Sequence, residues 1–102
     1  MLPGPTMQLR SQILVGRRCY ALKELFVIEF EFGDGEVFAT HRTLPVHGNG
    51  STQQEALESF CSSFDFQWRH LVESPPENLT RGGRKRRELM LEAVANVMSL
   101  RD

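Results

Sequence analysis

The sequence FVIEFEFGDGE at residues 26–36 decides the fold. Aromatic and β-branched residues recur at every second position, which is the pattern of a strand with one buried face. Asp34 and Gly35 follow, a pair that can place both central turn residues at positive φ, as a tight hairpin requires. Residues 36–44 then predict a second strand, and Pro45 ends its regular pairing because proline has no amide donor.

A helix is predicted after the hairpin. Thr52 can cap the first helical amides, and Glu55 can reach back to the Thr52 amide, which together make a capping box. Ser74-Pro75-Pro76 ends the helix because proline cannot continue the amide ladder. Between these limits, apolar residues recur at helical spacing: Ala56, Leu57, Phe60, Cys61, Phe64, Trp68, Leu71 and Val72. Burial of this stripe against the aromatic side of the hairpin predicts a two-layer core.

These elements predict an α+β fold, with a small antiparallel sheet of three or four strands packed on one amphipathic helix, plus a C-terminal helix. The C-terminal helix must pack on the domain, on a second copy in a homodimer, or on a partner. The pairing of residues 12–24 is left open. The expected divisions are a flexible tail at 1–8, a core domain at 9–74, a linker at 75–83 and the C-terminal helix at 84–102.

Residues 44–57 read LPVHGNGSTQQEAL. Together with the strand–turn–strand pattern before it, this motif resembles the signature of HicB-like antitoxins. In that family a Leu-Pro step, a short third strand and a helix beginning Gly-x-Thr-x-x-Glu-Ala-Leu follow a hairpin. The similarity covers residues 26–72, with Val46 where a glycine commonly follows Leu-Pro. It implies a non-enzymatic regulatory protein that masks a small basic partner, an RNA-binding nuclease toxin. The alternative is a stand-alone adaptor or inhibitor, accessory or phage-borne, without nucleic-acid binding.

The net charge of −1 conceals a segregation of charge along the chain. Residues 1–23 carry +4, residues 24–77 carry −8 and residues 78–102 carry +3. Such asymmetry informs about partners rather than about the fold. The acidic middle supplies a candidate face for a basic protein partner, formed by Glu29, Glu31 and Glu36. The alternation that exposes these glutamates is also expected of any antiparallel sheet with one solvated face.

The densest basic cluster, a candidate nucleic-acid contact, consists of Arg81, Arg84, Lys85, Arg86 and Arg87. Cations at the start of a helix oppose its dipole, so a role in neutralising phosphates is one interpretation. A solvated, flexible stretch is the other. No aromatic residue is interleaved with these bases, which argues against a stacking site for single strands. Phe66 lies off the main stripe of the first helix, and the N-terminal strands are expected to cover it.

The sequence contains no convincing catalytic or metal site. His41 with Asp34 or Glu36 is the most favourable acid–base pair, but no nucleophile motif accompanies it. His47 and Cys61 supply only two metal ligands, which do not close a coordination shell. We therefore expect a protein that is not an enzyme and that holds no cofactor.

Cysteine usage and hydropathy give an expectation about location. Cys19 and Cys61 belong to no CxxC pair, and they are predicted to be buried thiols in a reducing cytoplasm rather than a disulfide. The longest apolar runs are far shorter than a membrane span. The first six residues lack the basic and apolar regions of a signal peptide. These features predict a soluble cytoplasmic protein without membrane contact.

Overall fold

The computed structural model describes residues 6–100, which form one antiparallel sheet with helices on one side. This arrangement confirms the predicted α+β class. The elements in chain order are β1 (Met7–Val15), β2 (Arg18–Gly33), β3 (Glu36–His41), β4 (His47–Gly50), α1 (Gln53–Leu71), a 3₁₀ turn (Pro76–Asn78), α2 (Arg81–Ala93) and β5 (Val94–Ser99).

The long strand β2 organises the sheet. β1 pairs with it along almost its whole length, with a register shift between Arg10 and Gln12. The other edge of β2 is shared by two strands, since β3 pairs with residues 28–33 and β5 with residues 18–22. β4 pairs with the outer edge of β3. The question of how residues 12–24 pair is thereby resolved, because they form the β1–β2 hairpin and its continuation.

The prediction of a C-terminal helix over residues 84–102 is wrong beyond Ala93, where the chain becomes strand β5. β3 pairs with β2 only as far as Ile28, which leaves the edge of β2 at residues 18–22 open. Unpaired amides and carbonyls along a strand edge favour the addition of another strand. β5 occupies this edge. Residues 101–102 of the predicted helix lie outside the described residues.

Two further expected boundaries are wrong. Helix α2 begins at Arg81, inside the predicted linker 75–83, because the Thr80 hydroxyl accepts a 3.0 Å hydrogen bond from the Gly83 amide and caps it there. Strand β1 begins at Met7, inside the predicted tail, because its backbone pairs with β2. Residues 1–5 of that tail lie outside the described residues.

The core lies between α1 and the side of the sheet that faces it. Phe60 and Phe64 are fully buried. The Phe64 ring meets Tyr20 edge-on at 5.2 Å between centroids and Phe26 at 5.9 Å. The predicted two-layer packing of helix on hairpin is therefore confirmed. Phe32 is the exception: it belongs to the same alternating series but is 41% exposed, at the end of the hairpin.

Local geometry departs from expectation at the hairpin turn and at the helix start. Gly35 has a φ of 69°, whereas Asp34 does not have a positive φ, so the turn is not the expected type with two left-handed residues. An aspartate thus avoids the cost of the left-handed region. Thr52 caps α1 by accepting from the Glu55 amide at 3.1 Å, as predicted. The Glu55 carboxylate, however, accepts from the Ser51 amide at 2.8 Å, one residue earlier than expected.

A glycine lets α1 cross β4 at backbone contact. A Cβ atom added at Gly48 would lie 2.1 Å from the Phe60 amide nitrogen and 2.6 Å from the Ala56 carbonyl oxygen. Neither atom can move without distorting the helix. Gly48 therefore sets how closely α1 lies on the sheet. It thereby also sets where the side of α1 that faces away from the sheet lies.

Candidate functional site

The side of the sheet opposite α1, here called the outer face, carries large apolar side chains. In the pairing of β1 with β2, Leu9 lies opposite Val27 and Leu14 lies opposite Cys19. Met98 of β5 pairs with Cys19 from the other side. An antiparallel sheet with a solvated face normally exposes polar residues there. The large apolar residues of the outer face, each between 40% and 59% exposed, are Met7, Leu9, Leu14, Leu25, Phe38 and Met98.

The predicted acidic residues lie at one end of the outer face. Glu29 pairs with Met7 on one side and Thr40 on the other, and Glu31 pairs with Phe38. These glutamates are thus interleaved with apolar residues rather than forming a purely acidic surface. Sequence reasoning missed the apolar part, although the alternation in residues 7–10, MQLR, was the signal that could have revealed it.

The three glutamates differ in how they are engaged. Glu29 forms an ion pair with Arg42 at 3.3 Å. Glu36 accepts a 2.8 Å hydrogen bond from the Asn49 amide group. Glu31 is exposed and has no hydrogen-bond or ion-pair partner among residues 6–100. Its charge is therefore available to a partner.

The structure divides the predicted basic cluster. Arg81, Arg84 and Lys85 are exposed on the solvent side of α2, whose buried side carries Met90. Arg87 is half-buried, and its Nε atom is enclosed without a hydrogen-bond partner within the described part of the chain. Arg86 is exposed and extends toward α1. The five bases therefore do not form a single surface.

Arg86 lines a groove of about 650 Å³ between α1, β4 and α2, here called the α1/α2 groove. Phe66 also lines it and is 70% exposed. The expectation that the N-terminal strands cover Phe66 is wrong, because β1 pairs in the plane of the sheet and leaves the far side of α1 open. The lining residues are His47, Ser59, Ser62, Ser63, Phe66, Gln67, His70, Leu71 and Arg86.

Two polar residues of the groove have structural partners. The Ser59 hydroxyl accepts a 3.1 Å hydrogen bond from the backbone amide of Asn49, and the Gln67 side chain donates to the Pro45 carbonyl at 2.8 Å. The other polar lining residues have no hydrogen-bond or ion-pair partner in the part of the chain that the structure describes; these are His47, Ser62, Ser63, His70 and Arg86. No acidic residue lines the groove.

His41 has a structural role in place of the acid–base role considered above. Its Nδ1 atom accepts hydrogen bonds from the amides of Thr43, at 3.2 Å, and Leu44, at 3.1 Å. Burial lowers the pKa of His41 below its ordinary value, which keeps the imidazole neutral as this acceptor requires. Glu36 lies on the outer face and Asp34 in the distant turn, so the proposed pairing of His41 with either is wrong.

A charged network at the opposite end of α1 also braces the fold. The Tyr20 hydroxyl donates to Asp65 at 2.5 Å, and Arg69 contacts the same carboxylate at 3.0 Å. Arg18 lies 3.8 Å from Asp65 and also pairs with Glu73. Burial and the bond to Asp65 raise the pKa of Tyr20, so the hydroxyl remains a donor. These contacts tie β2 to α1.

Three further features of residues 6–100 bear on function: the cysteines, the potential metal ligands and the character of the helices. Cys19 and Cys61 are free and buried. Burial raises the pKa of the Cys61 thiol, which makes it a poor nucleophile. No group of three or more potential ligand residues in this range is placed to hold a metal ion. Neither helix in this range has the length and apolar character needed to cross a bilayer.

The outer face and the α1/α2 groove are thus the two candidate sites. The outer face draws side chains from β1, β2, β3 and β5, and the groove draws them from β4, α1 and α2. Both depend on the assembled fold. No protein-family model, curated protein or solved structure matches this chain.

Proposed function

We propose that this protein is a non-enzymatic regulatory binding protein whose outer face binds a partner protein with an apolar centre and a basic rim. The observation that carries the proposal is the set of large apolar side chains exposed on one face of the sheet. Large exposed apolar side chains that share one face of a sheet are typical of interaction sites in proteins. Burial of such surface supplies the main favourable free energy of protein association.

The charge at one end of the outer face favours a basic partner. Glu31 is unpaired among residues 6–100, and Glu29 and Glu36 lie on the same face. Complementary charge raises the association rate and excludes wrong partners more than it adds affinity. In the form implied by the antitoxin resemblance, the partner is a small basic toxin. In the alternative form, the protein is an adaptor or inhibitor that binds its target without nucleic acid.

Helix α2 is the weaker candidate for a protein contact. Met90 is fully buried, and Val94 just after the helix is also buried, so the apolar side of α2 packs on its own domain. Leu89 and Leu91 stay partly exposed. A homodimer through the C-terminal segment stays a prediction.

The test uses the full chain expressed in its native cell, with a double variant, Leu9→Asp and Leu25→Asp, on the outer face. The matched control is Leu91→Asp, a partly exposed leucine on α2. The parent and the control should co-purify with a stoichiometric basic protein, identified by mass spectrometry. After reconstitution, the outer-face variant should bind that protein at least about 30-fold more weakly, because central apolar contacts contribute 2 kcal/mol or more.

Two outcomes would contradict this function. One is an outer-face variant that binds the partner as tightly as the parent does, which would place the interface elsewhere. The other is a parent that light scattering shows to be a dimer and an outer-face variant that is a monomer. In that case a second copy of the chain, not a basic partner, occupies the face.

A further inference from the structure

The α1/α2 groove presents an open aromatic surface. Phe66 stacks on His70 one helical turn later, with ring centroids 6.5 Å apart and planes 15° from parallel. One face of Phe66 is thereby supported, while the side chain as a whole remains 70% exposed. An exposed aromatic ring is the kind of platform on which nucleic-acid bases stack.

Hydrogen-bond donors surround this platform without acidic neighbours. Arg86 reaches the groove from α2, and Ser62 and Ser63 line it from the turn of α1 before Phe66. None of these three side chains has a hydrogen-bond or ion-pair partner among residues 6–100. A guanidinium group presents paired donors that match the oxygens of a phosphate. Because the groove contains one unpaired guanidinium group and no acidic residue, it favours an anion over a cation.

The size of the groove suits one nucleotide. Its volume of about 650 Å³ falls within the usual range for small-molecule sites. We propose that the groove binds a nucleotide, with the base on Phe66 and a phosphate on Arg86. A free nucleotide and a nucleotide within a single strand share this chemistry, and the competition experiment below distinguishes the two sources.

No aromatic residue is interleaved with the basic residues in the sequence, but the fold brings Phe66 of α1 and Arg86 of α2 into the same groove. The site is independent of the proposed function, because the outer face lies on the other side of the sheet.

The test measures fluorescence anisotropy of labelled single-stranded RNA and DNA of about 12 nucleotides, with the full chain at about 50 mM salt. Phe66→Leu, which keeps apolar contact but loses the aromatic face, should weaken binding at least about fivefold. Phe66→Trp should retain it. Arg86→Gln should reduce the slope of log affinity against log salt by about 0.7. Phe38→Leu and Arg42→Gln, the same changes on the outer face, should alter neither quantity.

Competition by unlabelled free mononucleotides shows whether the ligand is a free nucleotide or a strand. If a mononucleotide competes as well as the oligonucleotide at equal nucleotide concentration, a free nucleotide rather than a strand is the ligand, and the strand is refuted. The site itself is refuted if the parent binds neither an oligonucleotide nor a mononucleotide at low salt, or if Phe66→Leu binds as the parent does. Thermal melting of each variant confirms that these exposed substitutions leave the fold intact.

Discussion

Replacement of Phe64 by alanine removes a ring that holds α1 to the sheet. The side chain is fully buried and contacts the rings of Tyr20 and Phe26 edge-on. Loss of a buried phenylalanine ring costs about 3–5 kcal/mol, through lost burial and the cavity that remains. We expect about 4 kcal/mol for Phe64→Ala, a large part of the total stability of a small domain.

The matched control lies two residues later on the same helix. Phe66→Ala deletes the same side chain, and both variants gain the same helix propensity from alanine. Because Phe66 is 70% exposed, its loss should change the free energy of unfolding by no more than about 0.5 kcal/mol. The difference between the two variants therefore isolates the contribution of burial.

Urea unfolding followed by far-ultraviolet circular dichroism measures both variants. With a slope of about 2 kcal/mol per molar urea, Phe64→Ala should lower the midpoint by about 2 M. Phe66→Ala should leave the midpoint within experimental error of the parent. Equal shifts for the two variants would refute the packing of α1 on the sheet described above.

Three other expectations follow from particular contacts. Gly48→Ala should destabilise by more than about 3 kcal/mol, since its Cβ would overlap the backbone of α1, whereas a Cβ atom at Gly33 would make only an ordinary contact, 3.9 Å from the Glu36 carbonyl oxygen, so Gly33→Ala should behave nearly as the parent in thermal melting. Because the pKa of His41 is lowered in the folded state, the unfolded chain binds more protons; stability should be complete above about pH 6.5 and fall as pH decreases through the window below it. A variant with His41→Leu should lose that part of the pH dependence in urea titrations, and an unchanged profile would contradict the assignment. Glu29→Lys with Glu31→Lys should fold within about 1 kcal/mol of the parent, yet associate more slowly with the basic partner and with a weaker dependence on salt in stopped-flow mixing; unaltered association would remove the acidic end from the interface.

Local patterns in the sequence determined the hairpin and the first helix. The period-two alternation from Phe26 onward identifies the strand because neighbouring residues alone set which side chains share a face. The Thr52 cap is predictable for the same reason, since the hydroxyl and the Glu55 amide are three residues apart. The exposure of Glu29 and Glu31 on the outer face follows from the same alternation.

The tertiary structure alone decided the features that depend on distant residues. Val94–Ser99 has an apolar pattern that also suits a helix, and it becomes a strand because β2 offers an unpaired edge that exists only after the hairpins form. Phe66 is exposed and lines the α1/α2 groove together with Arg86, because the close crossing at Gly48 sets how α1 lies on the sheet. Both candidate sites combine side chains from several elements. The separation of those elements along the chain is the reason that spacing within any one segment does not reveal them.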